Sequence, residues 1–189
     1  MAYEHEITIL NVERSQVLSR LKELGARHVG NHVFRRMEFA LDGRLGSAHS
    51  WVRVRTDGNE TTLTFKQMHK NGGFEPMIEH EVKTADFAEI VKIMGRLAKR
   101  ECIYFENSRE AYELDGAYIT LDKWPKIPLY VEIEAPSNAQ LKRVYKKLSI
   151  NGEFVGNVAI HDVYKRYGLD FLDVMRGNSA KLERLLKDR

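Results

Sequence analysis

The sequence holds one cysteine, Cys102, so neither an internal disulfide nor a cysteine-based zinc site can form, and a reducing compartment suits that count. No apolar run approaches the roughly 18 residues that a membrane span needs. The opening MAYEHE lacks the basic region and apolar core of a secretory signal. Also missing are a Walker loop, a G-x-G-x-x-G, an H-E-x-x-H and a G-x-S-x-G, which removes the usual nucleotide-binding, zinc-protease and serine-hydrolase signatures. The net charge is only +3, with Lys and Arg scattered rather than gathered, so nothing in the bulk charge announces nucleic acid. A soluble cytoplasmic protein is expected, and 189 residues suit one well-packed domain with a terminal extension.

What is present is a recurring pattern. YEHEITIL reads as a strand with Glu4 and Glu6 on one face, followed by a helix in which Val17, Leu18, Leu21 and Leu24 recur at helical spacing before Gly25. HVFRRMEFAL, from His32 to Leu41, alternates only in part. SWVRVRTDG then puts Trp51, Arg53 and Arg55 on one face, and ETTLTFKQM returns from a turn at Asp57 and Gly58. MIEHEV carries Glu79 and Glu81, and the helix after it has Phe87, Ile90, Val91, Met94 and Leu97 on one side with Thr84 as the expected N-cap. A second hairpin spans ECIYFENSREAYEL, the turn at Asp115 and Gly116, and AYITLDKW. LYVEIEA presents Glu132 and Glu134, and Ser137 with Gln140 opens the next helix as a capping box.

Glu-x-Glu thus appears on three strands, each followed by an amphipathic helix. The alternate positions beside these glutamates carry apolar residues, Ile7 and Ile9, Ile78 and Val82, and Val131 and Ile133, and the helices need such a face to cover. The glutamates must therefore face the other way, where Arg53, Arg55, Lys66, Arg109 and Asp122 also fall. About eight strands can close into a barrel around a small ligand. Clustered carboxylates suit hard divalent cations such as Mg2+ or Mn2+, and clustered Arg and Lys suit phosphate oxygens. A polyphosphate carrying a metal ion is the expected guest. His5 and His80, each between two glutamates, are expected on the opposite face.

The ordered set resembles the CYTH superfamily, the triphosphate tunnel metalloenzymes, and most closely its class IV adenylate cyclase-like branch. It comprises E-x-E at Glu4 and Glu6, R-x-R at Arg53 and Arg55, the strand-ending Lys66, E-x-E at Glu79 and Glu81, R-x-x-Y at Arg109, ITLD ending in Asp122, and YVEIE. The resemblance implies an α+β fold, a closed eight-stranded antiparallel β-barrel flanked by helices, over residues 1–168, with 169–189 as an amphipathic helical extension. It implies a divalent-metal-dependent enzyme that either cyclises ATP to cyclic AMP and pyrophosphate or hydrolyses a triphosphate. Glu4, Glu6, Asp122, Glu132 and Glu134 would hold Mg2+ or Mn2+; Arg53, Arg55, Lys66, Arg109 and Lys165 would hold phosphate. Glu79 and Glu81 would orient those cations or a nucleophile, and Glu4, Glu6, Glu79, Glu81 and Lys66 form the expected catalytic group.

Two positions depart from the family pattern. Thr8 stands where E-x-E-x-K would place a lysine, and Asn107 stands where a basic residue often precedes Arg109. These losses leave room for a second reading, a non-catalytic binder of nucleotides, polyphosphate or RNA triphosphate ends. The expected small-molecule partners are ATP, tripolyphosphate or thiamine triphosphate. The terminal segment, with Phe171, Leu172, Val174 and Met175 and then Leu182, Leu185 and Leu186, is expected to pack on its own chain, with a second subunit of a homodimer as the alternative. Trp124 in WPKIP is expected at a rim or in the core.

Overall fold

The computed structural model describes residues 5–43, 45, 50–67, 78–98, 101–177 and 180. In chain order its elements are β1 (His5–Leu10), α1 (Arg14–Glu23), β2 (Arg27–Ala40), β3 (Ser50–Thr56), β4 (Thr61–Gln67), β5 (Ile78–Thr84) and α2 (Phe87–Leu97). They continue with β6 (Cys102–Leu114), β7 (Ala117–Lys123), β8 (Tyr130–Ala135), α3 (Asn138–Leu148), β9 (Glu153–Gly156), α4 (Ile160–Arg166) and α5 (Phe171–Arg176). The fold is α+β, with a large antiparallel sheet in the strand order β5-β4-β3-β2-β6-β7-β8-β1-β9.

That order corrects the expected closed, eight-stranded barrel: nine strands pair, and among the described residues β5 and β9 are the ends of the order rather than partners. The additional strand is β9, whose EFVG, exposed at Glu153 and Phe154 and half-buried at Val155 and Gly156, shows no apolar alternation to mark it. Its approach to β1 depends on Gly152, where a Cβ would lie 2.6 Å from Ile9 Cγ2 and 2.7 Å from the Leu10 carbonyl oxygen. No helix among the described residues is long and apolar enough to cross a membrane.

The chain divides into two compact units, Met1–His32 with Asn107–Tyr167 and Val33–Glu106 with Gly168–Arg189. In the first, Ile9 of β1, Ile119 and Leu121 of β7, and Val131 and Ile133 of β8 pack with Val17 and Leu21 of α1 and Leu141, Val144 and Leu148 of α3. Gly25 ends α1 at a φ of 70°, a left-handed conformation that favours glycine. Ser137 caps α3 as expected by accepting from the Gln140 amide. No reciprocal bond from the Ser137 amide to the Gln140 side chain is made among the described residues, and Gln140 Nε2 donates to the Asp115 carbonyl. Asp115 and Gly116 both have positive φ, which turns β6 back into β7 with Leu114 opposite Ala117.

In the second unit, Met37 and Phe39 of β2, Val52 and Val54 of β3, and Tyr104 of β6 bury Phe87, Val91 and Met94 of α2. The N-cap of α2 is Asp86 rather than Thr84: its carboxylate accepts from the amides of Ala88 and Glu89, while Thr84 remains in β5 opposite Thr61. Phe171 of α5 meets Phe105 edge-on at 5.3 Å, so this part of the terminal extension packs on its own chain. Leu182, Leu185 and Leu186 lie outside the described residues.

Loss of an N-cap carboxylate costs about 1 kcal/mol. Asp86→Ala should therefore lower unfolding free energy in a urea titration by about that amount, and Thr84→Ala should not reproduce the loss of a cap.

Candidate functional site

Strand alternation sorts the side chains of each unit. In the first, the apolar residues of β1, β7 and β8 go to the helices, so Glu6 and Thr8, Thr120 and Asp122, and Glu132 and Glu134 share the other face. Register makes neighbours of them: Glu6 pairs with Glu134, Thr8 and Thr120 with Glu132, and Asp122 with Arg109.

Arg109 ties this face together. Its Nε donates to Asp122 Oδ1 at 2.9 Å, and Nη2 lies 2.8 Å from Asp122 Oδ2 and 2.7 Å from Glu132 Oε2. Asn107 Nδ2 and Thr120 Oγ1 also donate to Asp122. Asp122 is fully buried, and these donors replace the water its two oxygens have lost. Burial pulls the Arg109 pKa down, but Asp122 and Glu132 outweigh it and hold the guanidinium firmly charged.

The second unit carries the cations. Opposite the α2 face lie Arg36 and Glu38 of β2, Arg53 and Arg55 of β3, Thr62, Thr64 and Lys66 of β4, and Glu79 and Glu81 of β5. Lys66 Nζ donates to Glu79 Oε1 at 2.5 Å. Burial and then Arg53 lower the Lys66 pKa, against the pull of Glu79 and Glu38. Glu81 accepts from Thr64 Oγ1 at 2.6 Å and lies 4.0 Å from one nitrogen each of Arg53 and Arg55. Burial would raise the Glu81 pKa, but Thr64 and the two arginines prevail and lower it. The guanidinium carbons of Arg36 and Arg55 both sit 5.2 Å from the Phe34 ring centroid, within cation–π range.

The expected site residues thus form two sets, Glu6, Arg109, Asp122, Glu132 and Glu134 in one unit and Arg53, Arg55, Lys66, Glu79 and Glu81 in the other. Glu4 lies outside the described residues. Lys165 stands apart, on the exposed side of α4 and paired with Asp162 one turn away. His80 stacks with Phe65 on the other side of its strand, and Trp124 is buried. Sequence reading missed Phe34, Arg36 and Glu38, whose F-x-R-x-E spacing was the available signal, and the supporting hydroxyls of Thr64 and Thr120.

For a divalent ion the first unit offers oxygen donors alone, the chemistry Mg2+ and Mn2+ take. Thr8 Oγ1 and Asn107 Oδ1 are buried there with no hydrogen-bond partner among the described residues. Those residues do not gather three or more His, Cys, Asp or Glu side chains around one point. In the second unit the buried Arg53 Nε is likewise without a hydrogen-bond partner among the described residues, a donor suited to an anion.

The family model of the CYTH domain matches residues 3–163. Solved structures share the fold at low identity. A protein of Pyrococcus horikoshii is 18% identical, with a TM-score of 0.64, 82% of this chain covered and 96% of that one. A Vibrio parahaemolyticus protein provisionally assigned as an adenylate cyclase is 9% identical, with a TM-score of 0.67 and coverage of 86% and 98%. A Hippeastrum protein, provisionally an adenylyl cyclase and described with a dominant triphosphatase activity, is 16% identical, with a TM-score of 0.57 and coverage of 88% and 95%. No curated protein matches the chain.

Removing one partner of a buried ion network costs ~3–5 kcal/mol. Asp122→Ala should destabilise the protein on that scale in urea titration and leave Arg109 with Glu132 alone. Burial raises the Glu38 pKa despite Arg53, Arg36 and Lys66, so the folded state holds the Glu38 proton more tightly than the unfolded chain does. Its ionisation then costs stability as pH rises above the ordinary carboxylate range. The melting temperature of Glu38→Gln relative to the native protein should accordingly climb with pH over that window.

Proposed function

Because the chain belongs to the CYTH family, we propose that it is a divalent-metal-dependent enzyme acting on a triphosphate in the cytoplasm. The observation that carries this reading is the cationic face of β3 and β4, where the half-buried Arg53 has a buried Nε with no hydrogen-bond partner among the described residues, beside Arg55 and Lys66. Buried guanidinium donors of this kind suit phosphate oxygens, which they can bind as a planar fork.

Arg53, Arg55 and Lys66 are proposed to hold the phosphates, with Glu81 and Glu79 fixing those cations from β5. Glu6, Glu132 and Glu134, with Glu4, would hold Mg2+ or Mn2+, which when bound neutralises charge on phosphoryl oxygens. Asp122 serves as the anchor of Arg109 in this scheme, since donors from Asn107, Arg109 and Thr120 already occupy both of its oxygens. Two chemistries fit these roles: attack of water at the terminal phosphorus, which expels the diphosphate chain and yields orthophosphate, or attack of the ribose 3′-hydroxyl at the α-phosphorus with loss of pyrophosphate.

A second reading, a binder without turnover, has its own support. Neither Thr8 nor Asn107 supplies a charge, and Asn107 is committed to Asp122. ATP, tripolyphosphate and thiamine triphosphate incubated with Mg2+ or Mn2+, and with EDTA as control, separate these readings by product chromatography. Metal-dependent product is expected, and binding without product would favour the second reading. Arg53→Ala should lower kcat/KM by about 100-fold, the scale of a lost charge-stabilising donor.

A further inference from the structure

The cationic face carries one carboxylate that the proposed function leaves unused. Glu38 of β2 pairs in register with Arg53 of β3, and it shares its face with Arg36, two residues before it, and with Arg55. Lys66 lies on β4, the next strand, and Glu79 and Glu81 on β5 beyond it, engaged with Lys66 and Thr64. On the other side, β6 contributes Ile103 and Phe105, because Tyr104 between them packs into the α2 cluster, and Phe171 of α5 covers Phe105. Glu38 therefore has cations along one flank and hydrocarbon along the other.

A carboxylate there offsets part of the positive charge that Arg53, Arg36 and Lys66 bring to this face. A polyanion arriving at the same cations brings like charge beside it in a poorly solvated place, and like charge favours the neutral acid. We propose that Glu38 is the internal counter-ion of this face and takes up a solvent proton when a polyphosphate binds, so that it sets the pH range over which the face accepts polyanions. The inference rests on reading the face as the phosphate site. No bond of the phosphate changes in this step; the proton passes from water to the Glu38 carboxylate. Burial already holds that carboxyl above its ordinary range in the free protein, against the pull of Arg53, Arg36 and Lys66, so binding carries it further in the same direction.

The sign is specific. Proton uptake on binding means that affinity falls as pH rises between the free and bound pKa values of Glu38. A glutamine, neutral throughout, should bind tripolyphosphate more tightly than glutamate on the alkaline side of that window, and equally on the acid side. Within the window the two affinities should diverge by up to about tenfold per pH unit.

The test is calorimetric titration of the full chain with tripolyphosphate in EDTA, using two buffers of unlike ionisation enthalpy, for the native protein and Glu38→Gln. The native protein is expected to take up as much as about one proton more than the variant. Equal proton uptake with parallel pH profiles would overturn the counter-ion role and leave the phosphate site standing. No binding by the native protein would overturn the phosphate site and this inference with it. The 13C carboxyl resonance of Glu38 in the native protein gives a check that needs no variant: it should move toward the protonated position on adding tripolyphosphate, and a resonance that stays in place refutes the role.

Discussion

Side-chain alternation on strands that helices cover on one side is the constraint from which the rest of this structure follows. Once Ile9, Ile119, Val131 and Ile133 are committed to α1 and α3, and Met37, Phe39, Val52 and Val54 to α2, each residue between them is sent to the other face. That face inherits the charges and must satisfy them internally. The first unit does so with a guanidinium shared by two carboxylates, the second with carboxylates set among cations. The two answers are mirror images in charge: Arg109 serves acids, and Glu38, Glu79 and Glu81 serve bases.

Much of this was legible from residue order. The E-x-E and R-x-R stretches alternate without interruption, so their faces could be read, and the Asp115 and Gly116 turn and the Ser137 cap appear where the residues imply. β2 was harder. Arg35 and Arg36 adjoin, which breaks the polar and apolar rhythm, and only the structure shows Arg35 over the Phe87 ring while Arg36 joins Arg53 and Arg55 on the charged face. Glu38 was lost with it. The N-cap of α2 was misread because Thr84 and Asp86 are both cap residues by type, and β5 claims Thr84 for pairing with Thr61. β9 carried no signal because four half-exposed residues on a sheet end need no apolar face.

The two departures from the family pattern have unlike physical characters. Asn107 is built in: its amide donates to Asp122, and a lysine or arginine there would add a second cation to an acid that Arg109 already holds. Thr8 is not built in to the same degree, since its hydroxyl is buried without a hydrogen-bond partner among the described residues. A buried hydroxyl in that state costs free energy that a ligand could recover. The nitrogen of the Asn107 amide is thus committed to Asp122, while its Oδ1, like the Thr8 hydroxyl, is a buried oxygen with no hydrogen-bond partner among the described residues.

The place of β1 between β8 and β9 bears on how the chain comes to be folded. Residues 5–10 pair with 130–135 on one side and 153–156 on the other, so β1 emerges from the ribosome more than a hundred residues ahead of either partner. Contacts so distant in sequence form late and slowly. Throughout that interval Ile7, Ile9 and Leu10 form an apolar strand with two unsatisfied edges, the kind of segment that chaperones hold and that aggregates when they do not. The glutamate of this strand, Glu6, then has an earlier duty than any ligand: on a nascent chain, its charge keeps such a strand from joining its neighbours' copies.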